Sequence, residues 1–153
     1  MKVAFLDRDG VINKEVNYLH TIDDFEYTEN CKEGLLLLCN LGYEIVIITN
    51  QAGIAKGYFS EEQYKSLTEW MLNDLESSGI KVLECLFCPH HARGTVKGYI
   101  SDCDWRKPGT GMIDFVTSKY PVNLTDSILI GDKDSDIEAG YQAGVGRLFL
   151  VES

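Results

Sequence analysis

An α/β fold, with a mostly parallel sheet covered by helices on both faces, is predicted by two features of the sequence. Five short runs rich in Val, Ile and Leu recur along the chain, each bounded by charges or turn residues and each too short for a helix. Helical patterns fill the gaps, and alternation of strand and helix implies right-handed crossovers between parallel neighbours. At 153 residues the chain is expected to form one domain, residues 1–153, around one core.

The first run, "KVAFLD", ends in an acid and reads as a buried strand. A helix follows in "NCKEGLLLLCNLG", with Asn30 placed as its N-cap and Gly42 after its end; Cys31 and Cys39 share the spacing of Leu35 and Leu38 and read as small core residues. "YEIVIIT" is the second strand. The next helix opens at Ser60, which with Gln63 forms a capping box, and Tyr64, Leu67, Met71 and Leu75 make one apolar stripe along it. "VLECLF", "SILIG" and "RLFLV" complete the strands, with helices expected over 110–120 and 134–143. The result is a Rossmann-like sheet. A separate cap domain needs roughly 50 residues, and the stretches 10–48 and 50–106 are taken up by the sheet's own elements, so none is expected.

Composition excludes several functions. Acidic residues outnumber basic ones by 24 to 14, against a nucleic-acid or anionic-membrane surface. No apolar run approaches the ~18 residues of a membrane span and no secretory leader is visible, so a cytoplasmic monomer is expected. Five cysteines suit a reducing compartment rather than a disulfide framework, and the triplet Asn123-Leu124-Thr125 is discarded as a glycosylation site. No P-loop is present, and "GTGMID" lacks the third glycine of a dinucleotide fingerprint.

In open α/β sheets the ligand lies beyond the carboxyl ends of the strands. Three polar clusters stand there: "DRDGVIN", "TNQAG" and "GDKDSD". One Asp after a strand is ordinary loop chemistry, but Asp-x-Asp-Gly, Thr-Asn and Gly-Asp-x-x-x-Asp after three buried strands form a joint pattern. Asp7, Asp9, Asp132 and Asp136 brought together would repel, so they call for a cation; an all-oxygen site suits Mg²⁺ and a phosphate. Asp7 is then placed as a nucleophile on phosphorus and Asp9 as the acid and base, with Gly10 permitting the turn that aims it. Thr49, the Asn50 amide and Lys107 would position the phosphoryl group, with Pro108 at the start of the following helix.

The segments "FLDRDGVIN", "ITNQAGIAKG", "CPHH", "WRKPGTGM" and "GDKDSDIEAG" resemble the haloacid dehalogenase superfamily, most closely the D-glycero-D-manno-heptose-1,7-bisphosphate 7-phosphatases, over nearly the whole chain. Histidinol-phosphate phosphatase domains are the nearest neighbours. The resemblance implies Mg²⁺-dependent hydrolysis of a small phosphorylated sugar through an aspartyl-phosphate, in the making of lipopolysaccharide or capsule precursors. It implies Asp7, Asp9 through its carbonyl, and Asp132 as Mg²⁺ ligands, with Asp136 orienting them. Substrate contacts would come from Glu15, Val16, Asn17, Tyr18, Thr49, Asn50, Gln51, Ala52, Arg106, Lys107 and Lys133. Loops 13–24 and 88–107 would wall the site. A catalytically silent binding domain or a zinc-binding interaction module are the alternatives of another class; the first sits poorly with the full catalytic set and the second leaves the acids unexplained.

The resemblance also implies a structural Zn²⁺ held by Cys-x-His and Cys-x-Cys. Cys88, His90 and Cys103 match, but Trp105 stands where the fourth ligand belongs. The shell could be completed by His91, Asp102, Asp104, Cys85 or water, or the loop could be metal-free with Trp105 as an apolar plug.

Overall fold

The computed structural model describes residues 1–152. Its five strands are β1 (Lys2–Leu6), β2 (Tyr43–Asn50), β3 (Val82–Cys88), β4 (Ile128–Gly131) and β5 (Arg147–Leu150), in one sheet of order β3-β2-β1-β4-β5 with every pairing parallel. The helices are α1 (Cys31–Asn40), α2 (Ala52–Ala55), α3 (Glu61–Ser77), α4 (Gly111–Lys119) and α5 (Asp134–Ala143). The sheet grows outward from β1 to β3, then returns to place β4 on the other side of β1. That reversal is a topological switch point, and a crevice opens beyond the ends of β1 and β4.

Both sheet faces are covered, as the unbroken apolar runs require. Val3 and Phe5 of β1, Val46 and Ile48 of β2 and Leu129 of β4 meet Met112, Ile113 and Val116 of α4 on one face. Ala4, Leu6, Ile45 and Ile47 point the other way, against Leu35 of α1 and Met71 and Leu75 of α3. The strand's period of two makes this division, and each fully buried Ile or Leu contributes about 1.5–3 kcal/mol. The predicted stripe on α3 is wholly buried.

The capping box at α3 is present, with the Gln63 amide donating to Ser60 Oγ at 3.1 Å and the Ser60 amide to Gln63 Oε1 at 2.8 Å. Two local expectations are corrected. Asn30 precedes α1 but makes no side-chain cap; its φ of 61° is left-handed, which turns the side chain away from the first-turn amides. Pro108 is not at the start of a helix either: α4 begins at Gly111 behind Thr110, after a tight loop closed by the Gly111 amide donating to the Asp104 carbonyl. Cys31 and Cys39 lie half-buried at the margin of the core rather than within it. Among the described residues all five cysteines are free, and no helix is long and apolar enough to cross a membrane.

Candidate active site

A cavity of about 270 Å³ lies over the ends of β1, β2 and β4. Asp7 is the first residue beyond β1, and its amide donates to the Ile130 carbonyl at 3.1 Å, locking the end of β1 to β4. Lys107 reaches this point from the far loop although it is a hundred residues away in sequence. Its Nζ stands 3.0 Å from Asp7 Oδ1, donates to the Ile48 carbonyl at 2.8 Å, and pairs with Asp136. Asn50 holds it there: the Lys107 amide donates to Asn50 Oδ1 at 2.9 Å, and Asn50 Nδ2 donates to the Lys107 carbonyl at 3.1 Å.

Asp7, Asp132 and Asp136 place carboxylate oxygens within 4.8 Å of one another. Gly131 is required for this approach, since a Cβ there would lie 2.3 Å from the Asp136 Cβ. Burial pushes the Asp7 carboxyl up to about 8, with Lys107 opposing and Asp136 adding to the rise. Burial also works against the Lys107 charge, but Asp7 and Asp136 outweigh it and hold the ammonium above the ordinary lysine range. With all three carboxylates ionised, the single lysine would leave two negative charges uncompensated, and the rise at Asp7 reflects that excess together with burial. Asp132 Oδ1 is buried with no hydrogen-bond partner. A divalent cation with oxygen preference answers both deficits, and the donor set fits Mg²⁺.

Asp9 lies two residues on, past the buried Arg8 and before Gly10, whose φ of 90° makes the turn. Its carboxylate is fixed on both oxygens. Oδ1 accepts from Arg8 Nη2 at 2.8 Å and from Asn13 Nδ2 at 3.0 Å, while Oδ2 accepts from Gln51 Nε2 at 3.1 Å. Gln51 Nε2 also donates to Thr49 Oγ1 at 2.9 Å, so Thr49 and Gln51 tie the end of β2 to the turn after β1.

The structure brings most of the predicted residues to this cavity. Asp7, Asp9, Glu15, Asn17, Tyr18 and Asn50 line it, as do Gln51, Ala52, Arg106, Lys107, Lys133 and Asp136. Thr49 and the free Asp132 oxygen are buried and are not among the lining groups. Val16 departs from the expected set: it is exposed and does not line the cavity, whereas the next two residues, Asn17 and the left-handed Tyr18, do. Lys56, Gly53 and Ser135 also line the cavity and were not anticipated. The signal for Lys56 was the run "AGIAKG" directly after "TNQ", which forms the four-residue α2 and brings its end back to the site.

The second candidate metal cluster is on the 88–107 loop. Cys88, His90 and Cys103 bring their ligand atoms within 4.8 Å of one another, with Cys88 Sγ 3.9 Å from His90 Nδ1. Ligands about 2.0–2.3 Å from a tetrahedral zinc stand roughly 3.3–3.8 Å apart, slightly closer than the Cys88–His90 pair here. His91, Asp102, Asp104 and Cys85 do not join the group. Cys85 lies half-buried beside Tyr64 instead. Trp105 packs on Phe115 of α4 at 5.4 Å between ring centroids, as part of the core on that face.

Comparison with known proteins agrees with this geometry. Residues 2–142 match the family model described as polynucleotide kinase 3 phosphatase. The D-glycero-alpha-D-manno-heptose-1,7-bisphosphate 7-phosphatase of Photorhabdus laumondii is 58% identical over 100% of this chain and 84% of its own length. A D-glycero-beta-D-manno-heptose-1,7-bisphosphate 7-phosphatase of the same organism is 42% identical over 98% of this chain and 80% of its own. The crystal structure of the D,D-heptose 1,7-bisphosphate phosphatase from B. bronchiseptica, complexed with magnesium and phosphate, superposes with a TM-score of 0.84 at 29% identity, covering 97% of this chain and 80% of that one. The chain therefore belongs to the D-glycero-D-manno-heptose-1,7-bisphosphate 7-phosphatase family of haloacid dehalogenase-type phosphatases.

Proposed function

We propose that the protein removes the 7-phosphate of D-glycero-D-manno-heptose 1,7-bisphosphate through an aspartyl-phosphate on Asp7. The observation that carries this reading is the cavity itself, with a nucleophilic carboxylate and a buried lysine on its floor and further cations, Arg106 and Lys133, around it. A bound Mg²⁺, held by Asp7, Asp132 and the Asp9 carbonyl, would neutralise the phosphoryl oxygens and keep Asp7 ionised.

Asp7 attacks phosphorus as its oxygen–phosphorus bond forms and the bond to the C7 oxygen breaks. The leaving oxygen takes a proton from Asp9. Only one hydrogen bond occupies Asp9 Oδ2, so a lone pair remains there to carry that proton. Water then loses a proton to Asp9 and attacks the acyl phosphate, returning Asp7 and releasing inorganic phosphate. Lys107 stays charged beside Asp7 and screens it from Asp136. Arg106 offers a planar fork for the distal phosphate.

The identity to the alpha-named relative favours the α anomer. Phosphate release from both anomers and from histidinol phosphate, with and without Mg²⁺, tests the assignment. Preference for histidinol phosphate, or turnover indifferent to Mg²⁺, would overturn it. The same reading places a structural Zn²⁺ on Cys88, His90 and Cys103, with no side chain from position 105. Elemental analysis of protein purified without chelator should find close to one zinc per chain, and Trp105→Cys should hold it more firmly against EDTA.

A further inference from the structure

We infer that Arg8 is a positioning residue for proton transfer: from beneath the cavity it holds Asp9 Oδ1, so that Oδ2 is the oxygen that gives and takes the proton. This rests on the phosphatase reading above. Arg8 does not line the cavity and is 1% exposed, so its guanidinium reaches Asp9 from the interior. Nε at 3.2 Å and Nη2 at 2.8 Å both donate to Asp9 Oδ1. Asn13, also buried, adds Nδ2 at 3.0 Å. Three N–H donors, two of them on a cation, occupy the lone pairs of Oδ1 and hold its negative charge. Oδ2 accepts only from Gln51, which lines the cavity. The two oxygens of Asp9 are therefore unlike, and Arg8 makes most of the difference.

Arg8 is itself braced from behind. Its guanidinium carbon lies 5.7 Å from the ring centroid of Tyr64 on α3, and that ring stacks on Phe87 of β3 with centroids 4.3 Å apart. Burial works against the Arg8 charge and Asp9 outweighs it, yet Nη1 is left buried without a partner. Packing alone does not account for such a residue, because an apolar side chain of similar volume fills the same space with no donor unpaired. Proton transfer does account for it. As Asp7 attacks, the bond from phosphorus to the ester oxygen breaks and the proton on Oδ2 passes to that oxygen. The charge left on Asp9 faces Arg8. In the second step Oδ2 takes a proton from water, and the same fork keeps it aimed.

The test compares kcat/KM on heptose 1,7-bisphosphate, phenyl phosphate and p-nitrophenyl phosphate, each with Mg²⁺. For every ester this ratio covers the chemistry up to departure of the leaving group, and p-nitrophenolate leaves without a proton whereas an alkoxide does not. Arg8→Met should lower it about a hundredfold for the heptose ester, about tenfold for phenyl phosphate and at most about threefold for p-nitrophenyl phosphate, within the range of a positioned acid. Arg8→Lys keeps the charge but loses the fork. It should give the same ranking with smaller losses, and it carries the test if Arg8→Met does not fold. In an Asp9→Asn background, Arg8→Met should cost at most about twofold more, since the group it acts through is gone. Equal losses on all three esters, no loss on the heptose ester, or a full further loss in the Asp9→Asn background each overturn the inference. If the heptose ester is inert but the aryl esters keep their ranking, the substrate reading falls and the role of Arg8 stands. A wild-type protein that hydrolyses neither the heptose ester nor phenyl phosphate has no proton transfer for Arg8 to direct, and overturns both.

Discussion

Two clusters of side chains with metal-ligand chemistry, one of carboxylates and one of thiols and an imidazole, stand on opposite kinds of scaffold. Asp7 and Asp132 follow the buried strands β1 and β4, and Asp136 sits in the first turn of α5, so their separations are set by strand register and by the close approach at Gly131. Cys88 ends β3, but His90 and Cys103 are on a loop with few regular hydrogen bonds, braced by Thr95 against α2 and by Trp105 against α4. The first cluster is held by the fold whether or not a cation is present. The second is held by loop contacts, Thr95 and Trp105 among them. Under the proposed function, the chemistry that tolerates little displacement would sit on strand ends, while the wall that chooses the substrate would hang on the loop.

The largest effect should come at the rigid cluster. Asp7→Asn should lower phosphate release by about a thousandfold or more, because an amide cannot form the acyl phosphate; turnover near wild type would remove Asp7 from its role. Lys107→Met leaves Asp7 and Asp136 facing each other without their shared cation. Urea denaturation should show a loss of about 3–5 kcal/mol, the cost of breaking a buried pair.

Added Mg²⁺ should restore part of this rigidity in wild type, by about 2.7 kcal/mol at a hundredfold excess over its dissociation constant. The pH dependence has a definite sign. With its folded-state value raised from 3.8 to about 8, Asp7 stabilises metal-free protein most below pH 4, and that contribution is lost as pH rises toward 8. The Mg²⁺-induced rise in melting temperature should accordingly be greater at pH 8 than at pH 6. An equal rise at both would place the cation elsewhere.

At the loop, Trp105→Ala should cost about 2 kcal/mol, less than truncation of a fully buried aromatic because Trp105 is half-buried. If zinc is the stronger brace, the loss should be much smaller in zinc-loaded protein than after chelation. Smallest is Ser60→Ala, which removes one half of the α3 capping box and should cost about 1 kcal/mol with no change in turnover, since it touches neither cluster.

Much of this was legible in the chain itself. Short apolar runs bounded by turn residues and alternating with helical patterns read as strands of a parallel sheet, so β1 to β5 and the α3 stripe were legible, although β5 at the sheet edge is largely exposed rather than buried. The placement of Asp7, Asp132 and Asp136 at one edge follows in turn, because parallel strands all end on the same side. What periodicity does not carry is any contact made across a loop. That Asn50 clasps the Lys107 backbone, that Arg8, Asn13 and Gln51 converge on Asp9, that Lys56 lines the cavity and that Val16 does not were decided by tertiary structure. The reason is physical: strand and helix directions repeat with fixed periods, whereas a loop side chain's direction depends on φ and ψ values chosen by packing against distant residues.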